Sequence, residues 1–183
     1  MLIKKISAKF SLVYFSIFIV IGINAPFFPL WLSSKGFTER YIAIILAASV
    51  LTKLLANPFF AGLGDKYGNR KIPMLYLSFI SIIILFSLNI FNSLYLIAFM
   101  AITSWALFAP LMPLTESLTT TAIKKYNFDY GNTRLWGSVS FIIIAFFGGI
   151  IIEKYGLKYV PILMTIGALF LFLSIVIMPT IPS

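Results

Sequence analysis

Apolar residues in this chain fall into long blocks. Six runs, at about 10–32, 41–63, 72–91, 94–121, 129–152 and 159–178, carry few or no charges, and short polar loops divide them. Each run holds about 20 residues or more, the length a helix needs to cross roughly 30 Å of hydrocarbon. The pattern predicts an all-α polytopic membrane protein with six transmembrane helices. Asn92-Ser93 makes a minimal turn between the third and fourth runs, and Asp129 is a good N-cap for the fifth.

Composition agrees with the pattern. Of 183 residues, 61% are hydrophobic, 17% aromatic and only 10% charged, against roughly 25% charged in a soluble domain. A net charge of +9 would suggest a nucleic-acid partner if the bases formed one face of a soluble fold. They do not, and no nucleic-acid partner is expected. Lys4, Lys5, Lys9, Lys66, Arg70, Lys71, Lys124, Lys125 and Arg134 fall on one side of the spans, and Lys35, Arg40, Lys154 and Lys158 on the other. Nine against four is a positive-inside bias that puts both termini in the cytoplasm. A bacterial cytoplasmic (inner) membrane is the expected location. The basic start followed by residues 10–23 mimics a secretory signal, but the apolar run continues to Leu32 and five more follow. An uncleaved first span is the better reading.

The chain has no cysteine and no histidine. Disulfides, thiolate catalysis, zinc sites and histidine bases are excluded, so proton chemistry must use carboxylates. No metal, no cofactor and no enzymatic activity is expected: paired carboxylates and serine–base sets at matching depth are absent.

A few polar residues inside the runs are the candidates for chemistry. Asn24-Ala25-Pro26 and Pro29 interrupt the first run, as a plain packing kink or as a bend lining a cavity. Lys53 lies twelve residues into the second run, about 18 Å along a helix and close to the midplane. Asn57 shares its face at i+4. A midplane lysine either serves a function or faces a partner helix. In the fourth run Trp105, Phe108, Met112 and Glu116 are spaced for one helical face, a stripe that fits packing or a pocket. In the fifth, Arg134, Gly137, Ser138, Phe141 and Ala145 share a face whose small residues permit close approach. Glu116 and Arg134 sit just inside two neighbouring spans. An acid and a guanidinium there need each other or a ligand, unless Arg134 snorkels to headgroups. The cytoplasmic loop after the second run reads Gly-Leu-Gly-Asp-Lys-Tyr-Gly-Asn-Arg-Lys over 62–71. Its glycines suit a tight turn, and Asp65 can cap a helix or pair with Arg70.

Two pieces of the chain recur. Ala-Pro-Phe-Phe-Pro-Leu at 25–30 matches Ala-Pro-Leu-Met-Pro-Leu at 109–114, and Asp-Lys-Tyr-Gly-Asn-Arg at 65–70 matches Glu-Lys-Tyr-Gly-Leu-Lys at 153–158. The offsets, 84 and 88, differ by four residues. The chain therefore divides into three-span units at about 10–91 and 94–180, the second inverted in the membrane.

These features resemble the major facilitator superfamily. Asp65, Lys66, Gly68, Arg70 and Lys71 match its signature loop, with Ala61 where the leading glycine stands and Gly62 one place later. Pro113-x-x-Glu116 and the stretch Phe128-Asp129-Tyr130-Gly131-x-x-Arg134-x-x-Gly137 resemble the lactose-permease-like branch, the phenylpropionate permease group above all. The resemblance implies one six-helix half, the N-terminal one, of a major facilitator fold built as a 3+3 inverted repeat. It implies a secondary active transporter of a small organic solute, an aromatic acid or sugar-like compound, working by alternating access with protons. Glu116, Arg134 and Phe141 would be pocket residues, Phe141 stacking without the indole N–H of a tryptophan. Lys53, with Asn57, would suit a carboxylate. The loop of Asp65, Lys66, Gly68, Arg70 and Lys71 would gate. The lipid bilayer and a second six-span half, as another chain or a second copy, are the expected partners. The alternative is a non-transporting membrane remnant or assembly partner from a split transporter gene.

Overall fold

A computed structural model describes residues 2–181, apart from the side chains of Leu2 and Asp65. The described residues form α1 (Leu2–Ser34), α2 (Glu39–Lys66), α3 (Lys71–Ser87), α4 (Leu94–Phe108), α5 (Leu111–Tyr126), α6 (Tyr130–Tyr155) and α7 (Val160–Ile177). No strand occurs among them. Five stretches are long and apolar enough to cross a membrane, α4 and α5 together counting as one. The sixth crossing, α3, has 17 residues, about 26 Å at 1.5 Å per residue. The expected set of six spans is the one the fold contains.

The helix ends follow from local chemistry. Gly36, Gly68 and Gly156 turn the chain at φ of 97°, 59° and 95°, and Asn127 closes α5 at φ 51°. Glycine and asparagine reach this left-handed region at little steric cost. The Asp129 carboxylate accepts a hydrogen bond from the Asn132 backbone N–H and caps α6 as its sequence position predicts.

Two expectations about proline are corrected. Pro26 and Pro29 do not interrupt the first span; α1 runs through both as one helix of 33 residues. Buried Phe28, Trp31 and Leu32 hold that end, with the Phe28 and Trp31 rings stacked at 5.4 Å. The fourth span, expected as one helix, is broken at Ala109-Pro110 into α4 and α5. Pro110 and Pro113 each lack the N–H that would bond the preceding turn.

Helix α1 is the centre of the bundle. More than half of its apolar window is buried, 56% against 17% for α2. It packs on α6 and α7, while α2 packs on α4, and α3 packs on both α4 and α7. Exchanging the first three spans with the last three returns the same pairings: α1–α6 becomes α2–α4, α1–α7 becomes α3–α4, and α3–α7 maps onto itself. An inverted repeat requires that symmetry.

Close approach of helices is written into glycines. A Cβ on Gly148 would lie 2.4 Å from the Ile23 side chain, and one on Gly167 2.7 Å from Ile19. At such contacts dispersion and interhelical hydrogen bonds supply the attraction, because lipid is as apolar as the side chains. The Ser140 hydroxyl donates to the Phe15 carbonyl at 2.7 Å across the α1–α6 seam. One end of the bundle gathers the start of α1, the α2–α3 loop and the end of α7. Ser7 and Thr133 hydroxyls meet at 3.0 Å there, and Phe10 stacks on Phe128 at 5.9 Å.

Candidate functional site

Polar residues in the spans line up on one face of α1. Tyr14, Phe18, Ile21 and Asn24 follow at steps of four, three and three, the spacing of one helical stripe. Three groups of residues from other helices meet this stripe in succession.

The first group is an ion pair. Arg134 Nε on α6 donates to Glu116 Oε1 on α5 at 3.0 Å. The Tyr130 hydroxyl donates to the other carboxylate oxygen at 2.5 Å, so both oxygens of Glu116 are engaged. The guanidinium lies over two rings of α1, 5.3 Å from the Tyr14 centroid and 4.8 Å from that of Phe18. Tyr14 is held in turn by its hydroxyl, which donates to Thr119 Oγ1 at 3.2 Å. Gly137 makes room for this stacking: its Cβ would stand 2.8 Å from the Phe18 ring and 3.1 Å from Arg134 Nη1. The two charged side chains are 30% and 29% exposed, Arg134 and Glu116 respectively. Arg134 therefore turns inward to a partner and does not snorkel to headgroups.

Phe141 belongs to a second, smaller cavity of about 340 Å³ with Phe18, Ile21, Ser138 and Ile142. It shares Phe18 with the ion pair but touches neither Lys53 nor Asn57.

The third group surrounds a cavity of about 460 Å³. Asn24 and Ile21 of α1 face Ser49, Lys53 and Asn57 of α2, and Trp105, Phe108, Met112 and Pro113 close it. Trp105 and Phe108 meet edge to face at 5.5 Å. The expected stripe thus divides: Trp105, Phe108 and Met112 line this cavity, whereas Glu116, one turn on, reaches across to α6. Two buried polar atoms here have no partner in the protein, Asn24 Nδ2 and Asn57 Oδ1.

The five pocket residues read from the sequence are therefore spread over three adjoining places, bridged by Phe18 and Ile21. Sequence reasoning missed Tyr14, Phe18 and Tyr130 as site residues, and left Asn24 between a packing kink and a bend lining a cavity. The stripe of rings ending in an amide on α1 was the available signal.

The loop residues anchor the bundle end. The side chain of Asp65 lies outside the described residues. Lys66 closes α2 and Gly68 makes the turn. Arg70 Nη1 donates to the Ser117 hydroxyl of α5, and its side chain rests on Gly64, whose Cβ would meet Arg70 Cγ at 2.9 Å. Lys71 Nζ donates to the carbonyls of Val176 and Met178, at 2.9 and 2.5 Å, at the end of α7. Those carbonyls are the orphans of a helix C-terminus, where a cation is favoured. Among the described residues no cluster of three or more metal-ligating side chains occurs.

A family model described as MFS_1 like family matches residues 7–183. A protein titled "Probable 3-phenylpropionic acid transporter" from Escherichia coli (strain K12) is 30% identical over 182 residues, covering 93% of this chain and 45% of the relative. The lactose permease of Citrobacter freundii is 29% identical over 143 residues, 72% of this chain and 33% of that protein. The sucrose permease of Escherichia coli is 28% identical over 131 residues, 67% and 32%. The chain spans less than half the length of these curated relatives.

Proposed function

Because the chain belongs to the MFS_1 like family and corresponds to the N-terminal half of a major facilitator transporter, we propose that it forms one wall of a solute pathway. It moves a small organic solute, an aromatic acid or a sugar-like compound, by alternating access coupled to protons. The observation that carries this reading is the continuity of the α1 stripe: Arg134 stacks on Phe18, Phe18 and Ile21 line the Phe141 cavity, and Ile21 opens into the Lys53 cavity. Polar groups inside spans are costly to keep unless a ligand or a partner uses them.

Glu116 and Arg134 bind polar groups of the solute, Phe141 stacks on it, and Lys53 with Asn57 holds an anionic end. Among the described residues, Glu116 is the carboxylate in the group that meets the α1 stripe, and it is the candidate proton carrier. The second wall is another six-span unit, a separate chain or a second copy. The loop of Asp65, Lys66, Gly68, Arg70 and Lys71 latches one state through its contacts with α5 and α7. The two three-span units, about 10–91 and 94–180, rock together as one body. Both termini face the cytoplasm of a bacterial inner membrane. Chemical transformation of the solute has no part in this reading.

The test is uptake of labelled 3-phenylpropionate and lactose into proteoliposomes holding the complex purified from its native membrane, with and without a proton gradient. Gradient-driven uptake of one of them, cut at least about tenfold in Glu116→Gln, is expected. Uptake equal in wild type and Glu116→Gln would remove Glu116 from the pocket. A complex lacking a second six-span unit and moving neither solute would leave an assembly role instead.

A further inference from the structure

The transport reading leaves two buried amide atoms without an explanation. Asn24 is 6% exposed and its Nδ2 finds no partner; Asn57 Oδ1, across the same cavity, finds none either. A buried polar group left unpaired costs free energy comparable to a lost hydrogen bond, so such atoms call for a bound group. Asn24 presents a donor and Asn57 an acceptor.

Lys53 adds a positive charge. It lies one helical turn before Asn57, with Cα atoms about 6 Å apart, and lines the same cavity. Ser49 also lines the cavity, but its hydroxyl already donates to the Ile45 carbonyl at 2.8 Å; the other walls are apolar or aromatic, with Leu46, Val50, Trp105, Phe108 and Met112 among them. A ligand that satisfies every polar atom here has an anionic acceptor for Lys53 and Asn24. It also has a hydrogen-bond donor for Asn57 within one turn of that anion, and a flat apolar body. A simple carboxylate lacks the donor and leaves Asn57 Oδ1 unpaired. An amino acid supplies a donor, but its ammonium would sit beside Lys53 and be repelled.

We propose that Asn24, Lys53 and Asn57 form one recognition site for a hydroxylated organic acid with an apolar body, the hydroxyl lying beside the carboxylate. The inference rests on the transport reading and narrows its solute class. Asn57 is the residue that separates a hydroxy acid from its deoxy analogue, because a site built to bond a hydroxyl rejects the ligand lacking it.

The test is calorimetric binding of 2-hydroxy-3-phenylpropionate and of 3-phenylpropionate, in detergent, to the complex purified from its native membrane. Wild type is expected to bind the hydroxy acid at least about tenfold more tightly, one charge-free hydrogen bond plus the relief of an unpaired acceptor. Asn57→Leu removes the acceptor at similar size; it should abolish the preference, bringing the affinities of the two acids to within about twofold of each other. Lys53→Met should weaken both acids alike. Thermal unfolding checks that each variant folds, and Asn57→Ser serves if the leucine variant does not. Equal binding of the two acids to wild type overturns the inference while the transport reading stands. Binding of neither acid removes the anion site itself, and the transport reading then depends on the sugar arm of the uptake experiment.

Discussion

The Glu116–Arg134 pair can be asked directly whether it clamps a ligand or only ties α5 to α6. The perturbation is a cycle of Glu116→Gln, Arg134→Gln and the double variant. At the observed 3.0 Å, two unit charges in an effective dielectric of about 20 attract by about 5 kcal/mol. Desolvation and side-chain ordering take back most of this, and with about 30% of each side chain exposed a net coupling of about 1–2 kcal/mol remains. Arg134 also loses its stacking on Tyr14 and Phe18, about 0.5–1 kcal/mol for each ring. Arg134→Gln should therefore cost about 2–4 kcal/mol, Glu116→Gln about 1–2, and the double variant less than their sum by the coupling. For a chain of this size each kcal/mol moves Tm by roughly 2–4 °C, so the single variants should separate clearly in a thermal melt. Ligand binding decides the role. If the pair is a clamp, both single variants lose 3-phenylpropionate or lactose binding and the double variant does not regain it. If the double variant binds as wild type does, the pair is a static tie and the pocket assignment is refuted.

Three further outcomes follow from packing and caps. Gly167→Val pushes a side chain into Ile19 and Val20, including the Val20 backbone nitrogen 3.3 Å from a Cβ, and should destabilise by about 1–3 kcal/mol in thermal unfolding. Asp129→Ala removes the cap on the Asn132 N–H and should cost about 1 kcal/mol, with faster amide exchange confined to the first turn of α6. Lys71→Met frees the carbonyls of Val176 and Met178; a loss of about 1.5–3 kcal/mol is expected, together with faster exchange at the end of α7. Unchanged exchange in the last case would mean that Lys71 does not hold α3 to α7.

Much of the architecture was legible because membrane helices are specified locally. A lipid interior forces every backbone polar group to bond within its own segment, so uncharged length alone predicts a helix. Two of the ends were legible for the same reason: Gly68 acts through its own φ and Asp129 through its own side chain. The motif around Glu116 and Arg134 also pointed to the family, and the family model covers nearly the whole chain.

The site was only partly legible. Helical periodicity places side chains around one axis, but it does not say which of them a neighbouring helix reaches. Met112 and Glu116 stand one turn apart on α5, yet Met112 lines the Lys53 cavity with Trp105 and Phe108 while Glu116 reaches across to Arg134. Which residues of different helices meet is settled by how closely the helices pack. Gly137 admits Phe18 and with it the guanidinium of Arg134, and that contact draws Tyr14 and Tyr130 into the same cluster. Asn24 looked like part of a proline kink, since nothing in its neighbours reveals what stands opposite. Its amide gains meaning only once α2 brings Lys53 and Asn57 to the same cavity. The spans and the family could be read from the sequence, because they depend on short-range chemistry and on lipid as solvent. The tertiary structure alone decided which polar groups share a cavity, because that depends on contacts between residues far apart in the chain.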